Sequence, residues 1–108
     1  MWVFTQYGML SAVQDKDNPE IIVVRARRRE HLTSCFPKKK PVHTPDADYH
    51  WRLFMTREEF ASLLMALVLQ MDYTNFKESV PDELYTIYTR IWSEGLRFNV
   101  TNLRGFDD

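Results

Sequence analysis

The segment Ile21-Ile22-Val23-Val24-Arg25-Ala26-Arg27 constrains this chain most strongly. Four consecutive β-branched residues are stiff at χ1 and pack well on a pleated surface, and apolar and basic residues alternate after them. A strand is the only element that suits both halves of the segment. Period two places Arg25 and Arg27 on one face with Ile21 and Val23, and Ile22, Val24 and Ala26 on the other. A sheet must therefore form around this strand, with its purely apolar face needing cover.

The neighbouring segments supply that sheet. Trp2–Thr5 and Met9–Val13 are short β-prone runs separated by Gln6-Tyr7-Gly8, which reads as a hairpin turn. Asp15–Glu20 is a polar turn closed by Asn18-Pro19, so residues 1–27 form a β-meander. Tyr49–Met55 reads as a fourth strand, with Tyr49, Trp51, Leu53 and Met55 on one face and His50, Arg52 and Phe54 on the other. Between these strands, residues 37–48 carry Pro37, Pro41 and Pro45 around the run Lys38-Lys39-Lys40, which predicts a long exposed loop.

The second half is helical. Thr56 with Glu59 three residues on is a capping box, opening a helix over 57–71 whose apolar face holds Phe60, Leu63, Leu64, Leu67, Val68 and Met71. Asp72–Lys77 breaks it with an Asx-type corner. Pro81 at the first helical position, followed by Asp82 and Glu83, opens a helix over 81–94. Leu84, Ile87, Tyr88, Ile91 and Trp92 are expected on its buried face, with Gly95 as the C′ residue. The expected fold is α+β: a three- or four-stranded, mainly antiparallel sheet with both long helices packed on one face, in a single domain over 1–108.

Trp2-Val3-Phe4-Thr5 with Gly8, Val23-Val24-Arg25-Ala26-Arg27, Asp48-Tyr49 with Arg52, and Asp72-Tyr73 with Asn75-Phe76-Lys77 resemble a group of small uncharacterised bacterial and phage proteins. The resemblance spans most of the chain outside the Pro-rich loop and the tail. It implies a bacterial or phage setting and carries no catalytic assignment.

Composition excludes several classes. The single cysteine, Cys35, forms no internal disulfide, and the longest apolar run, Phe60–Leu69, is about half a membrane span. The expected location is therefore cytoplasmic, with no membrane partner. Net charge is −1, split as +2 over residues 1–50 and −3 over 51–108, so any attraction to nucleic acid must come from a local patch. Fifteen Trp, Tyr and Phe residues exceed what one small core hides, which leaves Trp2, Tyr7, Tyr85 and Trp92 for a partner or homodimer interface.

The candidate binding residues are Arg25, Arg27, Arg29, Lys38, Lys39, Lys40, Arg52, Asn75 and Lys77. The guanidinium fork suits phosphate or carboxylate, while the ordinary alternative is a solvated face salt-bridged to Asp48, Asp72 or the helix first-turn acids. His43, Asp46, Asp48 and His50 are weak metal candidates, since no pair has familiar zinc spacing. Cys35 lies four residues after His31, a weak nucleophile signal beside its reading as a small buried hydrophobe. No phosphate-binding loop, dinucleotide, serine-hydrolase or zincin motif occurs, so no catalytic residue and no cofactor is assigned. The leading expectation is a non-enzymatic module binding a protein partner or its own copy, with a host or defence complex as one target. The alternatives are a nucleic-acid-binding module using the basic sheet face and a small metal-dependent hydrolase or nuclease.

Overall fold

A computed structural model describes residues 1–100. They fall into two compact units, Met1–Asp72 and the chain from Tyr73 onward. The fold class is α+β. The first unit holds a five-stranded antiparallel sheet of order β1-β2-β3-β5-β4: β1 (Trp2–Thr5), β2 (Gly8–Gln14), β3 (Ile21–Ala26), β4 (Val42–His43) and β5 (Trp51–Thr56). Helices α1 (Arg29–Thr33) and α2 (Arg57–Leu69) complete it.

The Ile21–Ala26 strand lies at the centre, between β2 and β5. Its register with β5 pairs Ile22 with Met55, Val24 with Leu53 and Ala26 with Trp51. These side chains form one face of the sheet. Leu10, Ala12, Ile22, Val24, Ala26, Leu53 and Met55 are buried there with Leu32 of α1 and Phe60 of α2, and Val3, Cys35, Phe36, Trp51, Leu63 and Leu64 pack around them. Both helices of this unit therefore cover the same face.

Local chemistry explains the joints. Thr5 Oγ1 accepts from the amides of Tyr7 and Gly8, closing the β1–β2 turn. Gly8 has φ +151°, and a Cβ there would overlap the His31 side chain, so α1 seats directly against this backbone. Asp15 Oδ2 accepts from the Asp17 and Asn18 amides in the next turn. The capping box at Thr56 forms as the sequence predicts: Glu59 N–H donates to Thr56 Oγ1 (3.1 Å) and Thr56 N–H to Glu59 Oε1 (3.2 Å). Arg57, at the start of α2, donates to the Pro19 carbonyl and to Gln14 Oε1, tying the helix to the β2–β3 turn.

The sheet is wider than the three or four strands expected. The extra strand, β4, is a two-residue segment inside the Pro-rich loop, too short to show any alternation. It lies at an edge, where flanking prolines are tolerated because one side needs no amide donors. Residues 29–33 form one short helix anchored by fully buried Leu32.

The second unit contains a 3₁₀ turn at Lys77–Ser79, helix α3 (Asp82–Gly95) and a further 3₁₀ turn at Leu96–Asn99. Phe76 stacks on Tyr88 (centroids 5.2 Å apart) and meets Tyr73 at a tilt of 52° (5.5 Å). Leu84 and Tyr88 are buried, whereas Ile87, Ile91 and Trp92, expected on the same face, are 44%, 37% and 54% exposed. Gly95 is not a left-handed C′ residue: its φ is −61°, and the chain runs on through it into the 3₁₀ turn.

Candidate functional site

The sheet face opposite the core carries the chain's most unusual grouping. Arg25 and Arg52 are directly cross-strand partners on β3 and β5. The same row continues through Ser11 on β2 to Trp2 on β1, and on the other side to Val42 on β4. One row along lie Val13, Val23 and Phe54. No helix of the first unit packs on this face, because α1 and α2 both serve the core.

Tyr49 organises the arginines. The Arg25 and Arg27 guanidiniums lie over its ring, 4.6 and 4.4 Å from the centroid, and each such contact contributes about 0.5–2 kcal/mol depending on desolvation. Arg25 Nη2 also donates to Ser11 Oγ (2.7 Å), and Ser11 is almost wholly buried. Arg25 Nε is buried without a hydrogen-bond partner among the described residues. Tyr49 was expected on the face of Trp51, Leu53 and Met55, but β5 begins only at Trp51, so Tyr49 lies outside the strand alternation and reaches the arginine face instead.

The electrostatics distinguish this cluster from a solvated salt-bridged surface. Among the described residues, Lys39 pairs with Glu59 (2.7 Å) and Arg97 with Glu94 (3.4 Å), and neither pair involves Arg25, Arg27, Arg29 or Arg52. Asp48, adjacent to Tyr49, accepts instead from the Tyr49 amide (2.9 Å). Like charges directly opposite on a sheet are destabilising, so Arg25 facing Arg52 is a local cost that no ion pair among the described residues offsets.

The remaining candidates lie elsewhere. Arg29 lies over the Trp51 ring (6.0 Å), which belongs to the core face, and so stands apart from the other three arginines. Lys39 is drawn to Glu59 at the start of α2; Lys38 and Lys40 are exposed on the loop. Asn75 and Lys77 belong to the second unit, where Asn75 Oδ1 accepts from the Glu78 amide and from Lys77 Nζ, and Lys77 lies over Trp92. This is the Asx-type corner read from the sequence.

His43 stacks on Trp51 at 4.3 Å, and its ring is 6.4 Å from that of His50. Asp46 and Asp48 are exposed, and among the described residues no three His, Cys, Asp or Glu side chains converge as a metal-holding group. Burial pushes the Cys35 thiol above its ordinary value, partly offset by a hydrogen bond with Thr5, which disfavours the thiolate a nucleophile requires. His31 turns towards the first hairpin, where its Nδ1 accepts from the Met9 amide (3.4 Å).

A shallow depression of about 350 Å³ lies beside the start of α2, lined by Ala12, Ile22, Phe60 and Leu64 with Arg57 at its rim. Arg57 is already engaged by Pro19 and Gln14. Among the described residues, no helix is long and apolar enough to cross a membrane. Sequence reasoning identified Arg25, Arg27 and Arg52 but missed Tyr49 and Ser11, whose roles depend on where β5 starts and on the β2–β3 register. No known protein family, curated protein or solved structure matches the chain.

Proposed function

We propose that this chain is a non-enzymatic module that binds nucleic acid through the basic face of its sheet. The observation that carries this reading is that Arg25 and Arg27 lie over Tyr49, with Arg52 the cross-strand partner of Arg25, and none of the three has an ion-pair partner among the described residues. Two guanidiniums on one ring, with a third arginine on the neighbouring strand, suit a ligand with several phosphates, since each fork can take two phosphate oxygens. Local rules broken without a local gain are characteristic of functional positions. Bulk charge plays little part, because the protein's net charge is −1.

The test is fluorescence polarisation with short labelled DNA and RNA strands, comparing the unaltered chain with Arg27→Glu and Arg52→Glu. Binding at low salt that either charge reversal abolishes supports the reading. Equal binding by all three proteins, or none at low salt, refutes it.

A second reading, docking of a protein partner or a second copy, is favoured by a different observation. Met65, Val68, Leu69 and Met71 are 60%, 64%, 77% and 55% exposed, although 65, 68 and 69 are neighbours on one helix surface. A contiguous apolar strip of this kind marks an interaction surface more often than a solvated one. The sequence placed Val68 and Met71 on a buried stripe, but apolar residues encircle α2 beyond Leu63 and the core takes only one side. A Val68→Asp/Leu69→Asp bait that loses a protein captured by the unaltered bait at physiological salt would support this reading. Identical captures and unchanged sedimentation would remove it.

A further inference from the structure

Resting on the nucleic-acid reading, we infer that the ligand is a single strand, bound with its bases stacked on Trp2 and Phe54 while its phosphates meet Arg25, Arg27 and Arg52. Trp2 is 72% exposed and shares the cross-strand row of Arg25; Phe54 is 52% exposed and lies two residues beyond Arg52 on β5. Two strand spacings separate Trp2 from Arg25, about 10 Å, and two residues of rise separate Phe54 from Arg52, about 7 Å. Aromatic faces and guanidiniums thus alternate over one sheet surface at the scale of neighbouring nucleotides.

The shape of the surface selects against a duplex. Bases in a duplex expose only their edges in the grooves, and reading them takes a protruding helix or a two-stranded ribbon. In the first unit this face bears no helix, and the rings it exposes are those of Trp2 and Phe54. Exposed rings beside guanidiniums on a sheet are the arrangement on which splayed bases stack. Tyr49 is already covered by two guanidiniums, so it positions the arginines while Trp2 and Phe54 offer the free rings. Every base has a π-face, so the expected preference is for strandedness rather than sequence.

The experiment titrates the full chain with labelled oligothymidine, an RNA strand and a duplex of equal length, using Trp2→Ala, Phe54→Ala and, as control, Lys16→Ala in the β2–β3 turn. Far-UV circular dichroism monitors folding. The inference predicts single strands binding about tenfold or more tighter than duplex, each aromatic variant weakening single-strand binding by about tenfold, and Lys16→Ala unchanged. Duplex binding as tight as single-strand binding, or folded Trp2→Ala and Phe54→Ala both binding normally, overturns the inference while leaving the basic-face reading intact. No binding of any strand at low salt overturns both.

Discussion

Replacing Gly8 with alanine perturbs the joint on which the first unit is assembled. Gly8 has φ +151°, a region L side chains rarely adopt, and the backbone strain alone is worth roughly 1–3 kcal/mol. The new Cβ would also overlap Cγ, Cδ2 and Cβ of His31. A rotamer change moves the ring atoms but not the His31 Cβ, so α1 itself must shift. That helix has five residues, too few to persist alone, and is anchored by fully buried Leu32. Displacing it also weakens the Met9 amide's bond to His31 Nδ1. The expected total is about 3–5 kcal/mol, a large share of the stability of a small domain. A double-mutant cycle separates the contributions, because His31→Gly removes all three overlapping atoms and leaves the φ strain. In that background Gly8→Ala should cost only the backbone part, giving a coupling of about 1–3 kcal/mol. The assay is equilibrium urea unfolding, reading midpoints at constant m-value. Equal costs in both backgrounds, within about 0.5 kcal/mol, would show that α1 does not seat on Gly8.

Gly95 predicts the opposite sign. Its φ of −61° is helical and a Cβ would meet nothing within 4 Å, so Gly95→Ala should stabilise α3 by about 0.5–1 kcal/mol in thermal unfolding. Leu32→Ala should cost about 3–5 kcal/mol in urea unfolding, because a fully buried side chain leaves a cavity. Glu59 has its carboxyl below the ordinary 4.5, chiefly through the hydrogen bond from Lys39 and then that from the Thr56 amide. A lowered folded-state value stabilises above the unfolded value and is lost as pH falls through the folded one. Glu59→Gln should therefore be less stable than the unaltered protein near neutrality, with the gap closing below pH 4.5 in pH-dependent thermal melts. Cys35 should react with iodoacetamide more slowly than a free thiol at pH 8 and reach the free-thiol rate on unfolding, since burial raises its pKa.

The parts of the fold visible in the sequence are those where one interaction dominates. The β-branched run at 21–24 leaves no choice but a strand, and Thr56 with Glu59 sets the start of α2. What escaped depends on partners distant in the chain. β4 is two residues long and exists because β5 offers it an edge. Gly95 satisfies a C′ pattern, yet nothing there demands a left-handed backbone. The stripe on α3 is a property of the helix, whereas burial of Ile87 and Ile91 requires a surface opposite.

The same division runs through the candidate site. Alternation placed Arg25 and Arg27 together, and pairing with Arg52 required only a register. That Tyr49 would leave the β5 pattern and hold two guanidiniums depended on a strand boundary one or two residues away. The lysine run was the most conspicuous basic feature of the sequence, yet Lys39 is taken by Glu59 and leaves the sheet arginines as the organised group.

The central claim is that Arg25, Arg27 and Arg52 act together on phosphates. Its most direct test is the salt dependence of single-strand affinity for the unaltered chain and for Arg27→Ala/Arg52→Ala. Three phosphate contacts predict a slope of log K against log salt near −2, and removing two should reduce it to about −0.7 with much weaker binding. A slope that is the same in both proteins, or affinity insensitive to salt, would contradict the account.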